Sequence, residues 1–466
     1  MFVGDVSPDR QAVYRTAMAD VVEYYADRYG VEAPAFAVYI GADVEAVQAV
    51  YRELGAASPG TFGAGGRVAR LDGGTDAMFL AGSFVSGGGP AHTLLIAHEY
   101  FHVLQRQLSE FAPGPPVWLV EGSAHYSALL YISDEGIRPY DVDRRNVISF
   151  AAGLDIPFRD LDHDLGHWRE QFGAVYNAGV LASEWLLSEA GKSAYIDFWR
   201  LLATEANWQA AFSAAFGISV DEFHDAFEKH TTDLFADLQR IEGVVLGPDG
   251  EPLNDVGVEA WHGGRVGSST VKTRAQGAFA LRVWDGTYHL LIYPDRSART
   301  GFAGWLKAGG GLTAECDEAA IVAVEGADVT GIVIRLPAGW DENLPTLAST
   351  QWACVALPKV RGTVLGPDGP PAERIGLWLW GGSNDSSKFG GISADGTFDL
   401  AHQSGTYVIR VYVWRDAAWD HIGWYGDDTG FTTDREQATE IEVDDATVTG
   451  IEIRLPADPS DLPTIE

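Results

Sequence analysis

The spacing of hydrophobic and polar residues divides the chain near residue 240. Before that point, apolar residues recur at helical spacing and are interrupted by a few short strand-like runs. From Ile241 onward, hydrophobic and polar positions alternate, and Gly, Thr and Val become frequent, which predicts β-strands. The pattern therefore predicts a largely helical first part and an all-β second part.

In the first part, the pattern predicts helices over 8–29 and 43–54 and strands over 36–40, 67–71 and 77–81. A further helix begins at Pro90, carries a long apolar face, and is stopped by the prolines at 113, 115 and 116. The residues from 147 to 238 are again helical in pattern, with Gly191 closing one strongly apolar helix.

The β-rich part contains an internal repeat. Residues 241–250 recur as 360–369, and 330–337 recur as 449–456, so both pairs are separated by 119 positions. Such self-similarity predicts two copies of one β-domain. Trp261 and Trp380 occupy equivalent positions, which favours a packing role over sugar binding.

Composition narrows the classes of partner. With 66 acidic and 32 basic residues, the net charge is -34, which argues against nucleic acid and anionic membrane surfaces. Solubility or adaptation to salt explains this charge more simply than an acidic binding face does. No apolar run reaches the roughly 18 residues of a transmembrane helix, so we expect no membrane insertion. The chain start lacks a secretory signal, although such a signal can be removed before this numbering begins.

The two cysteines are Cys316 and Cys354. They are too few for a disulfide scaffold. The sequence is compatible with one disulfide bridge between them and with two free thiols.

The helix that begins at Pro90 carries the candidate chemistry. His98, Glu99 and His102 form an H-E-x-x-H motif, and residues four apart lie on one helix face, so both imidazoles can reach one ion. Glu121, in the segment W-L-V-E-G-S-A, follows His102 after eighteen residues and is the candidate third ligand. The alternative is that the two histidines merely line a helix face.

This pairing resembles the gluzincin metallopeptidases, and within them the peptidase MA-like and aminopeptidase N-like catalytic domains. The resemblance implies that His98, His102 and Glu121 hold Zn²⁺ and that Glu99 is the general base. Tyr176, in Y-N-A-G, resembles the tyrosine that stabilises the tetrahedral intermediate, although packing is an equal alternative.

The family also holds peptides along an edge strand. The strand near 77–81 is the candidate edge, with Phe79, Leu80, Ala81 and Gly82 as substrate-binding residues; an ordinary sheet strand is the alternative. The aminopeptidase segment G-x-M-E-N is missing before His98, so the choice between endo- and exopeptidase stays open.

Each β-repeat resembles the carboxypeptidase regulatory-like modules. The segments that carry this resemblance are G-x-V-L-G-P-D-G, G-x-F-x-L and G-T-Y. The expected fold class is multidomain: an α+β gluzincin (thermolysin-like) catalytic domain followed by two immunoglobulin-like all-β sandwiches. The expected boundaries are 1–240 for the catalytic domain (an α/β lobe to about 110, then a helical lobe over 111–240), 241–357 for the first repeat and 358–466 for the second.

The expected function is zinc-dependent hydrolysis of peptide bonds in extracellular or cell-surface peptides or proteins. The repeats would contact a surface or polysaccharide. The alternative is a non-catalytic adhesion or carbohydrate-binding protein with a relic peptidase domain. A zinc hydrolase that acts on another bond is a third interpretation.

Overall fold

The computed structural model describes the chain from Met1 to Leu462 with internal gaps. Both Cys316 and Cys354 fall in gaps, so the disulfide question lies outside the described residues. The residues not described are 7, 34, 55–65, 72–75, 82–89, 111–113, 164–171, 263–264, 269, 294–303, 315–317, 341–358, 368, 372–373, 382–388, 394, 402–404, 416–417, 427–429, 444–446, 457–458, 460–461 and 463–466.

The protein is multidomain, with a helical part followed by several β-sheets. The helices of the first part are α1 (Pro8–Tyr29), α2 (Val44–Glu53), α3 (Pro90–Leu108), α4 (Val117–Asp134), α5 (Tyr140–Ala151), α6 (Phe172–Leu201), α7 (Trp208–Phe216) and α8 (Val220–Phe235). A 3-10 turn, Phe158–Asp162, precedes α6. Within α6, Gly191 has φ 82°, a left-handed conformation that breaks the helix where the sequence predicted its end.

One four-stranded sheet packs against these helices. Its strands are β1 (Phe2–Val3), β2 (Ala37–Gly41), β3 (Gly66–Arg70) and β4 (Asp76–Ala81), in the order β1-β2-β4-β3. The pairs β1/β2 and β2/β4 are parallel, and β3 pairs antiparallel with β4. Among the described residues, β3 therefore forms one edge of the sheet, β1 forms the other, and β4 lies inside it.

This order corrects the predicted substrate-binding strand. Phe79, Leu80 and Ala81 are fully buried, and β4 is paired on both sides, so their backbone is not available to a peptide. Gly82 lies outside the described residues. The physical reason is visible in the continuous apolar run from Ala77 to Ala81, which is typical of a strand covered on both faces rather than of an edge.

The helical part has a continuous hydrophobic core. Side chains from α1, α3, α4 and α6 meet in it, including Tyr25, Phe101, Trp118 and Tyr195. A smaller cluster on the other face of the sheet joins α2 to β4. The core therefore fixes α3 between the sheet and α4, and that placement positions the candidate metal ligands.

The two β-repeats share one strand arrangement. In the first, β5 (Gln239–Leu246) lies between β14 (Val329–Arg335) and β9 (Ala278–Val283). Its second sheet contains β6 (Gly257–His262), β7 (Arg265–Val266), β8 (Val271–Lys272), β10 (Gly286–Tyr293), β11 (Gly304–Leu306), β12 (Leu312–Thr313) and β13 (Val322–Val324).

In the second repeat, β15 (Lys359–Leu365) lies between β22 (Val448–Arg454) and β18 (Thr397–Ala401), as in the first. Its other sheet contains β16 (Ile375–Gly381), β17 (Phe389–Gly391), β19 (Gly405–Arg415), β20 (Ala418–Trp424) and β21 (Ile441–Val443). In each repeat the two sheets enclose a hydrophobic core.

The junction between the two parts lies at the start of β5. Leu238 packs in the helical core, whereas Ile241 packs in the core of the first repeat. Trp284 reaches back from the first repeat and donates its Nε1–H to the carbonyl of Arg145 at 2.9 Å. The domain boundaries themselves stay predictions.

The equivalent tryptophans pack differently. Trp261 is buried in a second apolar cluster with Trp305. Trp380 instead contacts the guanidinium groups of Arg410 and Arg435, whose Cζ atoms lie 4.4 and 4.7 Å from its ring centroid.

No helix in the described part of the chain is long and apolar enough to cross a membrane.

Candidate metal centre

Two neighbouring helices bring the predicted ligands together. His98 and His102 lie one turn apart on α3, and Glu121 lies near the start of α4. The Nε2 atoms of the two histidines are 3.0 Å apart, and Glu121 Oε2 is 3.4 Å from each of them. In the described part of the chain, this is the one group of three or more His, Cys, Asp or Glu side chains with ligand atoms close enough to hold an ion.

The triangle of ligand atoms fits zinc. Tetrahedral zinc, with bonds of about 2.0–2.1 Å to nitrogen and oxygen, separates its ligand atoms by about 3.3 Å. The observed separations of 3.0, 3.4 and 3.4 Å lie close to this value. Two imidazoles and one carboxylate are also a donor set that catalytic zinc takes, with a fourth position left open.

Gln105 orients His102 toward the site. Its Nε2 donates to the carbonyl of Val120 at 2.9 Å and to Ser123 Oγ at 2.7 Å, which fixes the orientation of the amide. Its Oε1 then accepts a hydrogen bond from His102 Nδ1 at 2.7 Å, which leaves His102 Nε2 free to act as a ligand. Gln105 thus links the helix of the two histidines to the helix of Glu121.

The position of α4 is set by a backbone contact with α6. A Cβ atom on Gly122 would lie 2.2 Å from the carbonyl carbon of Gly179, and a Cβ atom on Gly179 would lie 2.2 Å from the carbonyl oxygen of Trp118. Both positions therefore require glycine for the helices to approach this closely. Because Gly122 follows Glu121 and Gly179 lies one turn after Tyr176, the contact brings these two side chains into one site.

A buried polar group also anchors the start of α4. Asp162 accepts hydrogen bonds from Trp118 Nε1 at 2.8 Å and from His224 Nε2 at 2.9 Å. These bonds tie α4 to the 3-10 turn and to α8. The turn ends at His163, which is exposed.

Glu99 is enclosed between α3 and β3. It is 5% exposed, and a Cβ atom on Gly66 would lie 2.3–2.5 Å from its side-chain atoms, so a larger residue at position 66 would displace the Glu99 side chain. Burial raises the pKa of Glu99 to about 7, with a further upward effect from Glu121, while the charges of His102 and Arg67 act in the opposite direction. A base with a pKa near neutrality suits proton transfer.

The three ligands form a strongly coupled ionic group. Burial lowers the pKa of His102, but the charges of Glu121 and Glu99, together with the hydrogen bonds to Glu121 and Gln105, raise it to about 9. Burial likewise opposes ionisation of Glu121, but the two histidines hold the pKa of its carboxyl well below the usual range. Burial lowers the pKa of His98. The ionised carboxylate thus attracts positive charge to the centre, and an ion there would take the place of a proton on His102.

Tyr176 and His125 complete the wall of the site. The hydroxyl of Tyr176 lies 3.1 Å from Nδ1 and 3.4 Å from Nε2 of His98. Burial raises the pKa of Tyr176 well above its usual value, so the hydroxyl keeps its proton and can donate it in a hydrogen bond. The ring of His125 lies 4.9 Å from that of Tyr176 and 5.8 Å from that of His98, centroid to centroid.

An open cleft of about 440 Å³ reaches His98, Glu99, His102 and Glu121. Gly66, Arg67 and Val68 of the edge strand β3 line the cleft, as do Trp199 and Leu202 of the helical part. The cleft therefore involves both the sheet and the helices, and it gives access to a largely buried ligand group.

The structure brings together His98, Glu99, His102, Glu121 and Tyr176. The predicted substrate-binding residues Phe79, Leu80 and Ala81 do not line the cleft. Gly82 lies outside the described residues. Sequence reasoning missed three contributors, Gln105, Gly66 and the Gly122–Gly179 contact. The first follows His102 by three residues and so shares its helix face, which was an available signal.

Comparisons with known proteins give little further information. No protein-family model matches the chain, and no curated protein matches it. Among solved structures, the Bacillus anthracis TIE protein is similar at 12% identity and a TM-score of 0.16, over 47% of this chain and 34% of its own. A streptococcal ancillary pilin is similar at 13% identity and a TM-score of 0.14, over 47% of this chain and 63% of its own.

A DUF3823 family protein from Bacteroides ovatus gives 13% identity and a TM-score of 0.15, over 44% of this chain and 100% of its own. This chain thus spans about a third of the TIE protein and less than two thirds of the pilin. At such TM-scores these similarities carry no argument about fold or function.

The ligand geometry predicts the metal content. Three protein ligands are the usual set for one catalytic zinc ion, and His98, His102 and Glu121 form one such set. Metal-replete protein should therefore contain about one zinc per chain. His98→Ala and Glu121→Ala should lose the metal, while His163→Ala, at an exposed histidine outside the site, should keep it. Elemental analysis after dialysis measures this, with circular dichroism to check folding. Protein that contains no zinc and gains none when zinc is added would rule out the site.

Proposed function

We propose that the protein is a zinc-dependent metallopeptidase, in which His98, His102 and Glu121 hold the ion. The observation that carries the proposal is the triangle of ligand atoms at 3.0–3.4 Å, with a buried carboxylate, Glu99, directly beside it. A metal site with a purely structural role needs no such base. The open cleft above the ligands gives a substrate access to them.

Glu99 is the general base in this proposal. Bound zinc would lower the pKa of water and polarise the substrate carbonyl. Glu99 accepts the proton of the attacking water and passes it to the leaving amine. Its burial and its contact with Gly66 hold the carboxylate in one place and exclude bulk water from it.

Tyr176 stabilises the oxyanion that forms when water adds to the peptide carbonyl. Its hydroxyl lies 3.4 Å from the ligand atom of His98, so it faces the place where the carbonyl must be attacked. Because burial keeps the phenol protonated, it acts as a hydrogen-bond donor throughout the reaction.

The substrate backbone pairs with β3 rather than with β4. Gly66, Arg67 and Val68 line the cleft, and in the described part of the chain β3 has a free side. Adding a strand to a free edge is a general way to hold an extended peptide. The close packing of Gly66 on Glu99 places that edge beside the base.

We also propose a class for the catalytic domain and for the β-repeats. The arrangement of ligands on two helices, with the tyrosine on a third, supports a gluzincin, thermolysin-like catalytic domain. The two-sheet repeats support immunoglobulin-like modules of the carboxypeptidase regulatory-like type. Such modules suit an extracellular or cell-surface enzyme whose substrates are peptides or proteins.

Glu99→Gln tests the catalytic role directly. Glutamine keeps the shape that packs on Gly66 but removes the base, so zinc content and melting temperature should barely change. Peptide hydrolysis should fall roughly 10²–10⁴-fold, the usual contribution of a general acid–base group. Glu135→Gln, at the exposed end of α4, is the control and should keep full activity. A parent that cuts no peptide, together with a Glu99→Gln variant that behaves identically in every assay, would instead favour a relic domain with a binding role.

Tyr176→Phe tests the oxyanion donor. Loss of one donor should lower kcat roughly 10²–10³-fold, with little change in KM, because the bond strengthens only in the transition state. Tyr195→Phe, in the part of α6 that follows the break at Gly191, removes a buried hydroxyl that donates to the carbonyl of Ser123 at 3.2 Å. This control should lower the melting temperature but keep kcat. A Tyr176→Phe variant that is as active as the parent would make Tyr176 a packing residue.

A further inference from the structure

A second cavity lies away from the cleft, between the helical part and the first β-repeat. It has a volume of about 520 Å³. Residues 152–155, after α5, form one wall, and strands β5, β8 and β9 form the other. Its charged lining residues are Asp155, Arg240, Glu242, Lys272, Arg274 and Arg282. Cations outnumber acids there by four to two, whereas in the whole chain acids outnumber bases by 66 to 32.

Two of the arginines face each other across the sheet. Arg240 on β5 lies directly opposite Arg282 on β9 in an antiparallel pair, and like charges so placed repel each other. Glu242 offsets Arg240, with its Oε1 3.3 Å from Nη1 of the arginine. Arg282 donates to the carbonyl of Phe235 at 3.2 Å. Burial and the charge of Arg240 lower the pKa of Arg282, and Asp328 acts in the opposite direction.

The other cations are not neutralised locally. Over the part of the chain that the structure describes, no carboxylate oxygen lies within ion-pair distance of Lys272, Arg274 or Arg282. Asp155 lies on the opposite wall. The cavity thus holds three cations for which the described part of the chain shows no ion pair.

The internal repeat shows that the β-fold does not require these cations. The positions 119 residues after Lys272, Arg274 and Arg282 are Gly391, Ser393 and Ala401. The strand registers agree with this correspondence, since Gly257 pairs with Lys272 as Gly376 pairs with Gly391. Likewise, Arg240 pairs with Arg282 as Lys359 pairs with Ala401. The same strands therefore form in the second repeat without the three charges.

We propose that this cavity binds an oxyanion, either free phosphate or the carboxylates of an acidic glycan. Arginine offers paired N–H donors that match the oxygens of phosphate and carboxylate, and lysine adds a point charge. A bound anion relieves the repulsion between Arg240 and Arg282. Because the helical part and the first repeat form opposite walls, the anion would also connect them. The inference is independent of peptidase activity.

The test measures anion binding to the full-length protein. Chelator-treated protein is titrated by isothermal calorimetry with sodium phosphate and, in a second arm, with a galacturonate oligosaccharide, with ionic strength held constant by sodium chloride. Saturable binding is expected in at least one arm. The double variant Lys272→Ala, Arg274→Ala should weaken it roughly 10- to 100-fold, the effect of losing charge-assisted hydrogen bonds.

The second repeat provides the matched control. Lys359→Ala, Arg361→Ala removes the same charge from the exposed pair that binds Asp399. This variant should bind the anion as the parent does. Binding of phosphate identifies a free anion as a sufficient ligand, and binding of the oligosaccharide alone identifies the polymer. Absence of saturable binding in both arms, or equal losses in the two double variants, would overturn the proposal.

Discussion

The close contact between α4 and α6 at Gly122 and Gly179 is the constraint on which the site depends. Neither glycine has room for a Cβ atom, so the two helices meet backbone to backbone. That approach sets the distance of Glu121 from the histidines on α3 and brings Tyr176 beside His98. Gln105 and Asp162 then hold α4 from its other sides through Val120, Ser123 and Trp118. A larger side chain at either glycine would separate the ligands without altering any of them.

Buried negative charge at the proposed metal site would be stabilised by a cation. Glu99 is buried and Glu121 is partly buried, and two carboxylates so near each other are costly unless positive charge lies between or beside them. A proton on His102 supplies part of that charge, as its raised pKa indicates, whereas burial lowers the pKa of His98. A divalent ion at the three ligand atoms supplies more, and the distances among those atoms already suit it. The cavity at the first repeat presents the opposite case, an excess of cations that suits an anion.

Features that depend on residues close together in the sequence could be predicted, whereas contacts between residues far apart in the sequence could not. The placement of His98, Glu99 and His102 follows from helical periodicity alone, and the Gly191 break from a local rule. The position of β4 was mispredicted because strand order depends on parallel pairing with the distant β2, although the unbroken apolar run in β4 was a usable signal. The Gly122–Gly179 contact and the pairing of Arg240 with Arg282 join residues far apart in sequence, and no local pattern encodes them.

Chelator-dependent cleavage of peptides is the measurement that tests the central claim most directly. The zinc-loaded protein is incubated with a diverse peptide library, with and without a chelator, and the products are identified by mass spectrometry. The account predicts cuts that the chelator abolishes and that added zinc restores, and the positions of the cuts also distinguish endo- from exopeptidase action. A zinc-loaded, folded protein that leaves the whole library intact, or cuts that persist in the chelator, would contradict it.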